Sequence, residues 1–315
     1  MTISGFTFMR NTAKLYYPLV ESINSILPLV DEFVIALGKG DGDDLTLELI
    51  ESIESKKIKI IHTEWDSSKF PNGTEYAHQT DIARENCVGD WLFYLQSDEV
   101  LHEKFLSTIK SYCEKYLNDI MVDGFLFGYK HFFGDYFHFI NDHGWYQQEI
   151  RIIRNQPDLR SWGDAQSFRK VKPNDFIHYR QKNKTRKLNV VRIPAEIYHY
   201  GWVRPPFLMQ TKSRAMDKMY HDPNKVEDDY NKKSTNFDYG NLSRLNVFEE
   251  THPEVMGNFI RKFNWGHELN YTPDYKPQRV LMKHEKLKYR LLTFVEKHFL
   301  GGRHLFGYKN WKVIS

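Results

Sequence analysis

The chain has 315 residues, of which 41% are hydrophobic, 27% charged and 15% aromatic, and its formal net charge at pH 7 is +3. This content of large apolar side chains excludes an intrinsically disordered chain, because disordered chains lack the apolar surface that offsets chain entropy on folding. The small net charge excludes a protein that binds nucleic acid by bulk attraction. Many aromatic rings in a charge-balanced chain favour sugars or nucleotides as ligands, and the length suits one large domain with an appendage or two domains.

No sequence feature predicts export or a membrane span. The two cysteines, Cys87 and Cys113, are too few for a disulfide framework and indicate a reducing compartment. No apolar run reaches the roughly 18 residues that a transmembrane helix needs. The first residues lack the charged and apolar regions of a signal peptide, so we expect a cytoplasmic protein.

Strands alternate with helices over the first 120 residues, which predicts crossover connections and a mostly parallel sheet. The fourth strand is apolar throughout, as expected for a strand that is covered on both faces. The predicted elements are strands 3–9, 32–37, 57–61 and 91–95 and helices 15–26, 47–53 and 76–86.

The pattern changes after residue 120. Longer strands rich in Phe, Tyr and Ile are predicted over 122–131 and 145–154, a solvated basic loop over 171–190 and a further strand over 190–200. The chain then becomes helical and charged. We therefore predict an α/β fold in which a mostly parallel sheet flanked by helices is followed by a mixed β extension and a helical C-terminal tail. The predicted division is one domain over 1–204, with halves 1–120 and 121–204, and an extension over 205–315.

Polar residues follow each strand of the first half, at the edge where open parallel sheets bind their ligands. Two adjacent carboxylates, Asp98 and Glu99, follow the fourth strand and favour Mg²⁺ or Mn²⁺, which use one or two carboxylates plus substrate phosphates. The other interpretation is that Glu99 caps a helix beginning near His102 and that Asp98 is a turn residue. The remaining candidates at this edge are Arg10 after the first strand, Asp41, Asp43 and Asp44 after the second, and Gln96 after the fourth.

Four segments together resemble family 2 glycosyltransferases of the GT-A fold, in particular a bacterial lipopolysaccharide-core-type subset. They are DEFVIALGKGDGDDLTLELI, WLFYLQSDEV, WYQQEIRIIRN and IYHYGW, and the resemblance covers roughly residues 1–202. It implies a GT-A catalytic domain over 1–204, with a nucleotide-sugar half and an acceptor half. It also implies a hexosyltransferase-like enzyme that moves a sugar from a nucleotide-diphosphate sugar to an acceptor hydroxyl, inverting and metal-dependent, in surface glycan or lipopolysaccharide-type biosynthesis.

The resemblance also assigns residues on the donor side. Asp98 matches the acidic residue that ligates Mg²⁺ or Mn²⁺ at the diphosphate, and His199 matches a late histidine near the metal, although a core histidine is an equal alternative. Gln96 stands where the family carries an acid that reaches the ribose, a departure that puts metal affinity or nucleotide choice in doubt. The resemblance assigns the contact with the nucleotide base or the ribose to Asp41, Asp43 or Asp44, and the spacing does not decide which of the three makes it.

Inverting transfer needs a base that takes the proton of the acceptor hydroxyl. The resemblance places this base just after the mixed strands, where Asp164 lies, and Glu149 is its rival. We favour Asp164 because Glu149 is close enough in sequence to pair with Arg151 or Arg154. These two arginines are three residues apart on a strand and are expected to face opposite sides, one towards the cleft and one at the surface.

The acceptor side has two further features. Trp145, Tyr146 and Trp162 form either a sugar-stacking wall or core packing. The tail over 287–311 is a basic amphipathic segment that predicts either peripheral contact with the inner face of a membrane or an ordinary docking helix. The predicted acceptor is a glycan or a lipid-linked molecule.

Two other functions remain open at this point. Gln96 in place of an acid also fits a non-catalytic sugar- or nucleotide-binding protein on a degenerate transferase fold. A sugar nucleotidyltransferase is disfavoured, because the segment after the first strand has no glycine for a phosphate loop. Nucleic acid is not a predicted partner, since the basic run over 170–187 has few aromatic residues for stacking.

Overall fold

The computed structural model describes residues 1–302, 304–307 and 309–314. The strands are β1 (Ile3–Met9), β2 (Glu32–Gly38), β3 (Ile58–Thr63), β4 (Trp91–Tyr94), β5 (Glu99–Leu101), β6 (Gly124–Phe133), β7 (His138–Ile140), β8 (Gln148–Arg154), β9 (Leu159–Trp162), β10 (Ser167–Val171), β11 (Thr185–Trp202), β12 (Asn246–Val247) and β13 (Trp311–Val313). The helices are α1 (Leu19–Ile26), α2 (Thr46–Glu51), α3 (Thr74–Glu85), α4 (Leu106–Lys115), α5 (Pro206–Tyr220), α6 (Pro223–Asn231), α7 (Gly257–Ile260) and α8 (Leu287–Phe299).

One sheet organises the molecule, with the strand order β3-β2-β1-β4-β8-β6-β11-β10-β9. The first four strands of this order pair in parallel. Strand β8 is antiparallel to both of its neighbours, β4 and β6, and β6 and β11 are parallel to each other. The predicted α/β fold, with a mostly parallel first half and a mixed β extension, is confirmed.

Strand β4 lies in the middle of the core, and its four residues are fully buried. Trp91 and Phe93 pack on the side of α1, whereas Leu92 and Tyr94 pack on the side of α3. This alternation follows from the two-residue period of a strand. It explains why the strand is apolar throughout rather than on one side.

The C-terminal half differs from the prediction in two places. Strand β11 begins at Thr185, inside the predicted solvated loop, and its Leu188 and Val190 are fully buried. The chain then returns to the sheet at its end, where β13 pairs in parallel with β11. The helix of the tail ends at Phe299, and the segment after it leads to this strand.

The domain division at residue 204 stays a prediction, although β11 ends at Trp202 and α5 begins at Pro206. Among the described residues, no helix combines the length and the apolar character that crossing a bilayer requires.

Candidate functional site

A cavity of about 740 Å³ lies at the carboxyl ends of β1 and β4, and we call it the strand-end cavity. The segments after these two strands line one side, and β11 and α5 line the other. Six predicted site residues contribute to its lining, namely Arg10, Asp41, Gln96, Asp98, Asp164 and His199. The structure therefore brings these six side chains together around one cavity.

The acidic run after β2 divides between the cavity and the surface. Asp41 lines the cavity and pairs with Lys14 at 2.9 Å. Asp43 is exposed and pairs with the same lysine, and Asp44 accepts a hydrogen bond from Thr46 at the first residue of α2. Asp43 and Asp44 are not part of the cavity lining, so Asp41 is the member of this run that can reach a ligand there.

Asp98, the central carboxylate of the cavity, is buried among cations. Its Oδ2 atom lies 3.6 Å from His199 Nε2 and 3.6 Å from Lys212 Nζ. Burial by itself would raise the pKa of Asp98, but the charges of His199, Lys212 and Arg204 outweigh it and hold this pKa well below the ordinary value. Asp98 is therefore an anion at neutral pH.

A chain of hydrogen bonds orients His199. The Nε2–H of His131 donates to the Tyr146 carbonyl at 2.7 Å, and its Nδ1 lies 3.0 Å from Nδ1 of His199. Burial, together with the charge of His199, lowers the pKa of His131 well below its ordinary value, so this ring is neutral and its Nδ1 accepts. His199 then donates from Nδ1, and its Nε2 atom is directed at Asp98. Histidines that ligate metals are oriented in this way by a partner on the other ring nitrogen.

Gly201 provides the space in front of this pair. A Cβ atom at this position would lie 2.5 Å from Asp98 Oδ2 and 2.6 Å from His199 Nε2. Because any other residue would crowd both atoms, the glycine keeps the carboxylate and the imidazole accessible.

Asp98 and His199 fit a divalent cation as a pair of protein ligands. The described residues contain no group of three or more His, Cys, Asp or Glu side chains that could hold a metal by themselves. Mg²⁺ is typically held by one or two carboxylates and completes its shell with substrate phosphates and water, and Asp98 supplies one such carboxylate beside the His199 imidazole. The pair is therefore suited to a cation that arrives with a phosphorylated ligand.

Lys212 was missed by the sequence reasoning. It lies on α5, in the predicted extension, and its Nζ donates to the Gly201 carbonyl at 2.6 Å. Burial and the neighbouring Arg204 guanidinium lower the pKa of Lys212 to about 7. A signal was present, because Lys212 follows the buried Met209 by one helical turn and so shares its inward face.

Glu99 does not face the cavity as a second cation ligand, and the alternative interpretation that it caps a helix near His102 is wrong as well. Glu99 lies in β5 and is fully buried. Arg151 donates to both of its oxygens, at 2.8 and 2.7 Å, and the Tyr129 hydroxyl donates at 2.8 Å. The carboxylate therefore serves as a structural anchor between β5 and β8.

The prediction for Arg151 and Arg154, with one in the cleft and one at the surface, is also wrong. Both are buried, because β8 lies between two other strands and both of its faces are covered. Arg154 donates to four backbone carbonyl groups, those of Tyr116, Leu117, Asp119 and Val122. Neither arginine is available to a ligand in the cavity.

A second cavity of about 830 Å³ lies between β6, β8 and the C-terminal segment, and we call it the tail cavity. It shares Trp145, Tyr146, Asp164 and Gln166 with the strand-end cavity, so the two cavities meet at these side chains. Trp162 lines the tail cavity but not the strand-end cavity. The aromatic residues predicted as a sugar-stacking wall therefore line at least one of the two cavities.

The two candidate bases occupy different environments. Asp164 lies in the turn between β9 and β10, where the two cavities meet, and accepts a hydrogen bond from the Tyr220 hydroxyl at 2.9 Å. Glu149 lines the tail cavity and accepts from Gln166 at 3.0 Å rather than pairing with an arginine. Burial raises the pKa of Glu149 to about 8, against the opposing charge of Arg151. The Glu149 carboxyl is therefore mostly protonated at pH 7.

No protein-family model matches the sequence, and no curated protein matches it either. Remote similarities to solved structures include S. aureus TarS, with a TM-score of 0.40 and 14% identity over 72% of this chain and 42% of that chain. The chain thus spans less than half the length of that structure. S. aureus TarS 1-349 in complex with UDP-GlcNAc has a TM-score of 0.37 and 14% identity over 72% and 70% of the two chains.

A third similar structure is glucosyl-3-phosphoglycerate synthase from Mycobacterium tuberculosis in complex with Mn²⁺, uridine diphosphate and phosphoglyceric acid. Its TM-score is 0.27, with 19% identity over 42% of this chain and 43% of that chain.

The first prediction concerns the buried ion pair. Arg151→Met leaves Glu99 as an uncompensated buried charge, so we expect the free energy of unfolding to fall by about 3–5 kcal/mol. Urea denaturation measures this loss. Lys184→Met, which removes the exposed ion pair with Asp175, is the matched control and should unfold as the wild type does. Equal urea midpoints for Arg151→Met and the wild type would contradict the anchoring role.

The second prediction concerns Glu149. Its pKa is raised from 4.5 in the unfolded chain to about 8 in the fold, so the folded state binds the extra proton between these pH values. The wild type should therefore lose stability as pH rises from about 5 to 8, by an amount on the order of a few kcal/mol, whereas Glu149→Gln should not. Urea midpoints at pH 5, 6.5 and 8 measure the difference. The exposed change Glu51→Gln should track the wild type; a pH-independent gap between wild type and Glu149→Gln would refute the assignment.

Proposed function

We propose that this protein transfers a sugar from a nucleoside-diphosphate sugar to an acceptor hydroxyl, with inversion at the anomeric carbon. The observation that carries the proposal is the meeting of two cavities at Asp164. One cavity holds an oriented carboxylate–imidazole pair and a buried lysine, and the other is larger and partly walled by aromatic rings. A donor and an acceptor would then meet at the carboxylate between them.

The donor diphosphate is assigned to the strand-end cavity. Asp98 and His199 would hold Mg²⁺ or Mn²⁺ there, and such an ion, when bound, offsets the negative charge of a departing diphosphate. Lys212, whose pKa of about 7 leaves its amine partly protonated at neutral pH, lies beside Asp98 and can supply a second positive charge there. Gln96 and Asp41 line the same cavity, where they are suited to hydrogen-bond the ribose or the base.

Arg10 lies over the Trp65 ring, with 5.2 Å between its guanidinium carbon and the ring centroid, and its Nε donates to the Lys39 carbonyl at 3.0 Å. The Nη groups of this arginine are placed to contact the donor.

Asp164 is the proposed general base. The acceptor oxygen forms the new bond to the anomeric carbon, its proton passes to the Asp164 carboxylate, and the bond to the diphosphate breaks on the opposite face. The Tyr220 hydroxyl holds this carboxylate in place by donating to it. Glu149 is the weaker candidate, because it lines the tail cavity but not the strand-end cavity, where the donor is assigned.

The acceptor is assigned to the tail cavity, and we propose a glycan or a lipid-linked molecule. Trp145 and Tyr146, which line both cavities, would stack against sugar rings near the point of transfer. We further propose that the protein acts in surface glycan or lipopolysaccharide-type biosynthesis on the cytoplasmic side of a membrane. The resemblance to the lipopolysaccharide-core-type subset of family 2 glycosyltransferases supports this role.

The third prediction concerns donor binding. We expect at least one nucleoside diphosphate to raise the Tm of the wild type, because a ligand of the folded state stabilises it by mass action. The nucleotides tested include UDP, and each is tested with Mn²⁺ or with EDTA. Asp98→Ala should lose the Mn²⁺-dependent part of this stabilisation. Asp43→Ala, at an exposed carboxylate outside the cavity, is the control and should keep all of it. A panel in which no nucleotide changes the Tm of the wild type would refute the proposed function.

The fourth prediction separates the two candidate bases. Asp164→Asn should keep the nucleotide-induced rise in Tm and lower the rate of sugar transfer by about 10²- to 10⁴-fold, the usual contribution of a general base. This rate is measured as the release of nucleoside diphosphate from a sugar nucleotide, in the presence of a panel of oligosaccharide acceptors. The sugar nucleotide is one whose nucleoside diphosphate raises the Tm of the wild type. Glu149→Gln is the matched variant and should change it by less than about tenfold. A large loss in Glu149→Gln together with normal transfer by Asp164→Asn would reverse the assignment.

A further inference from the structure

Helix α8 presents its apolar side to solvent. Leu287, Leu291 and Phe294 follow one another at spacings of four and three residues, so they share one face of the helix. A surface helix of a globular protein usually turns such a face towards the core. The exposed apolar residues of α8, between 38% and 73% exposed, are Leu287, Leu291, Phe294, Val295 and Phe299.

Polar contacts fix the opposite side of α8. Glu296 is buried, and its Oε1 lies 2.7 Å from His143 Nδ1. The His143 backbone N–H donates to the Thr293 hydroxyl at 2.9 Å, and the Leu305 N–H donates to Glu296 at 2.7 Å. The orientation of the helix is therefore determined by its buried polar groups, which leave the apolar face outward.

The charge exposed around this face is positive. Lys286, Lys288 and Arg290 are exposed at the start of the helix. Glu296 is the only acidic residue of α8, and it is buried. Glu285, just before the helix, is paired with Arg279 at 2.7 Å. An exposed apolar stripe bordered by cations is the pattern of a helix that lies in the interface of an anionic bilayer.

We propose that α8 docks this protein on an anionic lipid bilayer. Leu291 and Phe294 enter the boundary between headgroups and acyl chains, and Lys288 and Arg290 lie against anionic headgroups. A second copy of the chain is a poorer occupant of this face. A two-fold pair would set the same cations against each other, and like charges across an interface oppose association.

The docked helix would also serve the proposed transfer, a consequence that rests on the proposed function. Tyr289 on α8 and the neighbouring Lys283, Gly301 and Gly302 form part of the wall of the tail cavity. An acceptor carried on a lipid would therefore lie beside the acceptor cavity once α8 is on the bilayer.

Co-flotation of the full chain with vesicles tests this proposal. The vesicles contain phosphatidylcholine alone or phosphatidylcholine mixed with phosphatidylglycerol. We expect binding to the anionic vesicles that weakens as salt is added, because salt screens the headgroup charges. Replacing Leu291 and Phe294 together by Gln should weaken the binding at least about tenfold, since each buries a large apolar side chain in the bilayer. Replacing Lys288 and Arg290 by Gln should also cost about tenfold or more and reduce the salt dependence.

The matched control places the same apolar-to-Gln change elsewhere. Val88 and Ile120, before β4 and before β6, are 79% and 80% exposed, and the double change to Gln there should leave flotation unaltered. Equal flotation of the wild type and the Leu291/Phe294 variant would overturn the proposal, as would a wild type that does not float with anionic vesicles. A dimer in light scattering that this variant dissociates, without vesicle binding, would show that a second copy covers the face and would overturn it too.

The outcome can be read independently of the sugar-transfer proposal. The Leu291/Phe294 variant should keep its thermal unfolding transition and any nucleotide-induced rise in Tm, because α8 does not line the strand-end cavity. Vesicle binding by a wild type that no nucleotide stabilises would support docking and contradict the proposed transferase.

Discussion

The buried pair of Glu99 and Arg151 is the interaction on which the site depends. It ties the segment after β4 to β8, and Glu99 also accepts from the backbone N–H of Gln96 at 3.1 Å. Two adjacent carboxylates follow β4, but the ion pair with Arg151 buries one of them, Glu99, in the core. Asp98 is left as the carboxylate that faces the cavity, with its backbone on either side held in place. Asp98 thus lies in a short turn whose two ends are held by β4 and β5.

The register of β6 and β11 supplies the rest of the geometry. His131 and His199 are directly paired across these two parallel strands, which brings their rings into contact. Gly201 follows on the same strand and leaves the space that the facing atoms of Asp98 and His199 need. The same strand order that buries β8 therefore orients the imidazole and keeps it accessible, so core packing and the chemistry of the site cannot be varied separately.

Local sequence patterns were sufficient for the first half of the fold and for the position of Asp98. The apolar run of β4 and the polar residue types after each strand are visible in short segments, and the strand ends of a parallel sheet converge without further information. The burial of Arg151 and Arg154 was not predictable in this way. It depends on β8 being placed between β4 and β6, a long-range pairing that no short segment encodes. The spacing of Lys212 from Met209 predicts an inward position on its helix, but its contact with Asp98 was not predictable, since the two residues are more than one hundred positions apart in the chain.

Helix α8 shows a different limit of sequence patterns. An amphipathic period identifies two faces but does not say which one turns inward, so a docking helix and a membrane-contacting helix give the same pattern. Thr293 and Glu296 determine which side of α8 turns inward, and their polar partners lie in the loop before β8 and in the segment after the helix. Burying these groups without partners would be costly, and with partners they hold the helix with its apolar face in water. That exposed face is unfavourable for the chain in water, and the proposed docking on a bilayer would cover it.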